Sequence, residues 1–162
     1  MSSLNYAAGR GELGTVKRIL EKVSLDGGQA ASTLNKGEGL MSSTPLHAAA
    51  EAGHLDLAEL FLRERADINV KDREGATPLH YAASHGQVDA VEFLLSRGAQ
   101  AEARDTTGNT AMHYAASHGN LEVVKMLVKC KAHVDGSNKD CWTPLHSAAR
   151  QGFEKVGPQL LK

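Results

Sequence analysis

A 33-residue period governs this chain. Thr-Pro-Leu-His stands at Thr44–His47, returns at Thr77–His80 and at Thr143–His146, and takes the form Thr110-Ala111-Met112-His113 between the last two. Each start lies 33 residues after the one before. Ala pairs keep the same interval at Ala49-Ala50, Ala82-Ala83, Ala115-Ala116 and Ala148-Ala149, and a Gly follows each pair by three positions at Gly53, Gly86, Gly119 and Gly152. Self-similarity at this length is the mark of stacked supersecondary units, none of which buries its apolar face alone.

Each unit has a physical reading. Thr44 can cap a helix, and Pro45 fits the first helical position, where its missing N–H is of no consequence. Ala49 and Ala50 allow close helix approach, and Gly53 can take the left-handed conformation that ends the helix. A second helix is expected at Leu55–Leu62. Its counterparts carry Val88, Val91, Phe93, Leu94 and Leu95, then Leu121, Val123, Val124, Met126, Leu127 and Val128, at helical spacing. Helices this short are marginal in isolation and require neighbours. In the connection Ala66–Gly75, Ile68 and Val70 alternate with polar residues and Gly75 marks a turn, as in a projecting hairpin-like finger.

On these residues the chain resembles the ankyrin repeat, with its period of about 33 and its T-P-L-H-x-A signature. The resemblance covers nearly the whole sequence. It implies an all-α fold, a solenoid of about four to five stacked helix-turn-helix units with β-hairpin-like fingers, forming one domain over residues 1–162. The expected units are an N-terminal capping repeat at 1–41 with a long loop at 23–39, repeats at 42–74, 75–107 and 108–140, and an incomplete unit at 141–162.

The pattern breaks in four places. The first unit, with Ala7-Ala8, Gly11, Val16, Ile19 and Leu20, holds nine residues more than the period, within Val23–Gly39. This is read either as a tolerated surface insertion or as a binding loop. Gly157 and Pro158 fall where the last second helix belongs, and Leu160 and Leu161 are apolar at a terminus, as in a frayed cap or a fragment of a longer protein. Arg65 and Lys131 share a repeat position with Gly98 and are expected at positive φ. Cys141 aligns with Gly75 and Gly108, so the last finger is expected to turn differently.

Composition excludes several classes. Apolar residues make up 41%, and 18 basic against 19 acidic residues leave a net charge of −1, which supplies no broad basic field for nucleic acid or anionic lipid. Two cysteines make no disulfide framework. No signal peptide is read at Met1–Asn5 and no membrane-spanning run anywhere, so an intracellular setting, cytoplasmic or nuclear, is expected. No nucleophile elbow or phosphate loop is present, and the G-x-G-x-x-G match at Gly9–Gly14 lies on a helix-loop-helix with no preceding strand. No catalytic residue, metal site or cofactor is assigned.

Eight histidines invite closer reading. His47, His80, His113 and His146 hold the signature position, which the resemblance makes structural. His85 and His118 precede the helix-ending glycines, and for them partner contact, solvated surface and metal ligation all remain open. Cys130 aligns with Glu64 and Arg97 and is expected to be part-exposed. Asn69 sits in a context similar to ankyrin asparagines that become hydroxylated.

The resemblance implies binding of another protein by a chain monomeric in itself, through finger tips and the exposed face of the first helices. The tip positions are Arg73, Glu74 and Ala76, then Thr106, Thr107 and Asn109, then Lys139, Asp140 and Trp142. The helix-face positions are Glu51 and Ala52, Ser84 and His85, Ser117 and His118, Arg150 and Gln151. Trp142, the only Trp, is read as an anchor or as a cover on the preceding finger. The role follows one of two lines: an interaction module or scaffold, or a self-contained inhibitor similar to the ankyrin-type inhibitors of cyclin-dependent kinases.

Overall fold

The computed structural model describes residues 3–25, 27 and 29–161. Met1 and Ser2 of the opening segment, Asp26 and Gly28 of the inserted segment, and Lys162 lie outside the described residues. Eleven helices follow in order among the described residues: α1 (Ser3–Gly9), α2 (Leu13–Leu25), α3 (Ala30–Leu34), α4 (Pro45–Ala52), α5 (Leu55–Arg63), α6 (Pro78–Ser84), α7 (Val88–Ser96), α8 (Ala111–Ser117), α9 (Leu121–Lys129), α10 (Pro144–Arg150) and α11 (Gly157–Leu160). The first helices α1, α4, α6, α8 and α10 pack successively in one layer. The second helices pack behind them, with α5 against α7, α7 against α9 and α9 against α11.

Small residues make the first layer. Ala49, Ala82 and Ala115 are wholly buried between helices, and Leu46, Leu79 and Met112 fill the space beside them. The second helices bury one face at a spacing of i, i+1, i+4: Leu57, Ala58 and Phe61, then Ala90, Val91 and Leu94, then Val123, Val124 and Leu127. Gly53, at φ 76°, closes α4 in the left-handed region, as its place after the Ala pair predicts. At Gly119 a Cβ would stand 2.7 Å from the Phe153 ring, so the next unit needs that bare backbone.

The signature histidine locks units together. His47 Nδ1 accepts from the Thr44 N–H (3.1 Å) and from Thr44 Oγ1 (2.9 Å). Two donors on Nδ1 leave the ring proton on Nε2, which donates to Ala76 O of the next finger at 3.0 Å. His80 and His113 repeat the arrangement toward Asn109 O and Trp142 O. The capping unit uses Asn5 at the same step, its Nδ2 donating to Ser43 O at 2.8 Å.

The fingers are hydrogen-bonded turns rather than strands. Asp72 N–H donates to Ala76 O, Asp105 N–H to Asn109 O and Asn138 N–H to Trp142 O. Adjacent fingers are joined by the Arg73 N–H to Met41 O, the Thr106 N–H to Glu74 O and the Lys139 N–H to Thr107 O. Ile68 and Val70, which alternate with polar residues in the expected hairpin-like finger, lie just before this turn, where the Val70 N–H donates to Asp67 O at 3.2 Å, and the one β-bridge among the described residues joins Glu38 to Ser43.

Two expectations are corrected. The segment 23–39 is not simply a loop: α2 runs on to Leu25, and α3 forms at Ala30–Leu34 because Leu34 buries itself, at 1% exposure, in the N-terminal core. The last finger does not turn differently. Cys141 takes φ 61° where Gly75 takes 77° and Gly108 takes 86°, and Asn138 Oδ1 accepts from the Asp140 and Trp142 N–H groups as Asp72 and Asp105 do in theirs. Arg65 and Lys131 stand at φ 66° and 61°, as their alignment with Gly98 predicts. The last unit is curtailed, its second helix reduced to the four residues of α11.

Candidate functional site

The finger aspartates organise the exposed face. Asp72 Oδ1 accepts from the Glu74 and Ala76 N–H groups, and its Oδ2 accepts from Tyr81 Oη at 2.8 Å. Asp105 repeats this with Thr107, Asn109 and Tyr114 Oη. Burial alone would raise the Asp105 carboxyl, but the hydrogen bonds from Thr107, Asn109 and Tyr114 outweigh it and hold its pKa below the usual range. Burial first, and then the bond to the carboxylate, drives both tyrosine hydroxyls well above their ordinary pKa. Each tyrosine also meets the signature histidine one unit back, edge to face. The ring centroids are 5.0 Å apart for His47–Tyr81 and 5.1 Å for His80–Tyr114.

Asn138 and Ser147 stand where this scheme calls for Asp and Tyr. A cleft of about 550 Å³ opens there between the 108–140 and 141–162 units. It brings together eight of the expected positions: Thr107, Asn109, Ser117, His118, Asp140, Trp142, Arg150 and Gln151. Trp142 is 36% exposed, and the Arg150 guanidinium sits 5.3 Å from the centre of its indole. His113, Tyr114, Asn138 and Ser147 also line the cleft.

A smaller hollow of about 160 Å³ lies one unit earlier and collects Glu74, Ser84 and His85 beside Tyr81. His85 Nε2 is 3.3 Å from Glu51 Oε1. Ser84 Oγ donates to Tyr81 O and Ser117 Oγ to Tyr114 O, so both hydroxyls are already engaged with their own helices. Ala52 is half-buried at the end of α4 and lines neither hollow. Arg73, Thr106 and Lys139 are exposed at the tips, where their backbone N–H groups make the finger-to-finger bonds. Ala76 is only 4% exposed, its carbonyl receiving His47 and its N–H held by Asp72, and it lines the smaller hollow.

The tyrosines, their aspartates and the Asn138–Ser147 exception were missed in the sequence. The signal was there: positions 81, 114 and 147 fall 33 apart, as do 72, 105 and 138. Among the described residues no three His, Cys, Asp or Glu side chains converge to hold a metal ion, and no helix is long and apolar enough to cross a membrane. Cys130 and Cys141 are free and exposed.

Stacked helical hairpins joined through histidine-to-carbonyl bonds, with a recessed face along their fingers, define a repeat solenoid of the interaction type. The family model for ankyrin repeats in three copies matches residues 4–105 and 98–162, and the chain belongs to the ankyrin-repeat family. Ankyrin repeats are general protein–protein interaction modules, typically without enzymatic activity. Comparison with curated proteins gives no match.

Proposed function

We propose that this chain is an interaction module or scaffold that grips a partner protein between its finger tips and the exposed face of its first helices. The observation that carries this reading is the cleft around Trp142. The framework histidines and finger aspartates spend their hydrogen bonds inside the fold, whereas the Trp142 ring, Arg150 and Gln151 face solvent. A partly exposed Trp with an Arg over its ring has the composition of an interface hot spot. Arg73, Glu74, Glu51, Ala52, Ser84 and His85 extend the same surface toward the N-terminal units, and Thr106 and Lys139 border it at the tips. The partner is a protein, met by a monomeric chain in an intracellular setting.

The test is quantitative capture from cell lysate. Wild type is compared with a Ser84→Arg/Ser117→Arg/Trp142→Ala variant of matched helical content. A protein retained by wild type and lost from the variant is then titrated against purified chain. Trp142→Ala alone is expected to weaken binding by about 2 kcal/mol or more, roughly thirtyfold in Kd. An unchanged Kd removes Trp142 as the anchor, and capture of the same proteins by both baits moves the binding surface elsewhere. The identity of the partner separates a scaffold from an inhibitor that masks an enzyme.

A further inference from the structure

Two successive steps of this fold carry the same three-part geometry, and at the next step the tyrosine is missing. In the first two, a tyrosine on the first helix lies nine residues after the finger aspartate, donates to its Oδ2 and sets its ring edge to face with the histidine of the unit before. At the next step the histidine is His113, the finger residue is Asn138, and the helix position is Ser147. A serine hydroxymethyl cannot reach where a phenol ring would lie; Ser147 Oγ turns back to Thr143 O at 3.4 Å. The resulting gap is part of the cleft, with His113, Asn138, Trp142 and Ser147 around it. The first step of the array differs in its finger residue: Ala48, at the same helix step, stands nine residues after Gly39, which has no side chain to receive a phenol.

We infer that this gap is an aromatic slot, filled in the complex by a tyrosine side chain of the partner protein. The inference rests on the proposed binding face and specifies what that face recognises. The two internal copies show what fills the position when the chain supplies it itself: a phenol ring against an imidazole, with its hydroxyl at the finger residue. The polar end of the slot is adapted to an incoming hydroxyl. Asn138 Oδ1 is occupied by the Asp140 and Trp142 N–H groups, and one Nδ2 hydrogen goes to Asn109 Oδ1 at 2.8 Å. An amide nitrogen carries two hydrogens, so the second is available to a phenol oxygen. Where Asp72 and Asp105 accept from their tyrosines, Asn138 donates. The indole of Trp142 supplies a second aromatic wall, which the equivalent residues Ala76 and Asn109 do not.

The slot is tested with N-acetyl-tyrosinamide as the probe and N-acetyl-leucinamide as the control, each titrated into the nitrogen-15-labelled 162-residue chain. The expected result is saturable shifts confined to the Asn138 side-chain amide, the Trp142 indole N–H and the backbone around Ser147. The tyrosine amide is expected to bind about tenfold more tightly than the leucine amide. Ser147→Tyr supplies the ring from within and is expected to abolish the shifts while leaving the helical content unchanged. Ser147→Leu fills the same space and serves if the tyrosine variant does not fold. Equal affinity for the two amides, or shifts that survive a folded Ser147 variant, overturns the slot. Native capture separates the two readings: a partner lost with the triple groove variant but kept by Ser147→Tyr leaves the binding face standing and overturns the slot, whereas loss with both supports it.

Discussion

His47, His80 and His113 are held neutral by the bonds they make. Burial lowers the pKa of each, and the Nδ1 of each already receives a backbone N–H, so a proton added there would face a donor. A base whose pKa falls on folding binds fewer protons in the native state than in the unfolded one. Its contribution to stability is therefore complete above the unfolded value of 6.5 and is lost as pH falls through the lower folded values. The urea midpoint is expected to be lower at about pH 5 than at about pH 7.5, and an unchanged midpoint would contradict the neutral-lock account. Tyr114→Phe removes one hydrogen bond to a carboxylate at a half-buried site and is expected to cost about 1 kcal/mol in the same assay. The histidine roles were legible because one motif recurs four times in register. Asn5 was not, because the inserted residues between Ala8 and Ala49 hide its alignment with His47. Ser147 was not, because a missing side chain leaves no mark until the tyrosines on either side of the comparison are seen to have a job.

The elements are short, and their ends decide them. Arg65, Lys131 and Cys141 sit in the left-handed region that Gly98, Gly75 and Gly108 occupy elsewhere. Replacing Arg65 or Lys131 by Gly is expected to stabilise the chain by about 0.5–1 kcal/mol each, the relief of the left-handed conformation less the entropy of a freer unfolded residue, read as a rise in thermal midpoint. These positions could be read in the sequence because φ preference is a property of the single residue once the period is known. Helix α3 could not be, because Gly and Ser around it argue for a loop and only the burial of Leu34 argues against. The regular turn of the last finger was misjudged for the opposite reason: local preference at Cys141 disfavours it, and the Asn138 bonds impose it.

Across the molecule, stability is a sum over neighbours. Ala50, Ala83 and Ala116 are buried by the unit that follows, while Ala149 and His146 on α10 are exposed. The terminal unit has only the four residues of α11 behind its first helix. Trp142 reports on that unit alone, whereas far-ultraviolet circular dichroism reports on all the helices. In urea the fluorescence midpoint is expected to precede the dichroism midpoint, the signature of an end that opens before the middle. Coincident midpoints would mean that the terminal unit is fully coupled to the rest.

The fingers joined tip to tip through Glu74 O and Thr107 O are also a ruler. Packed helices stand about 8–10 Å apart, so successive tips recur at close to that pitch. An extended peptide advances about 3.3 Å per residue. A strand laid along the tips would therefore pass a new finger at about every third residue.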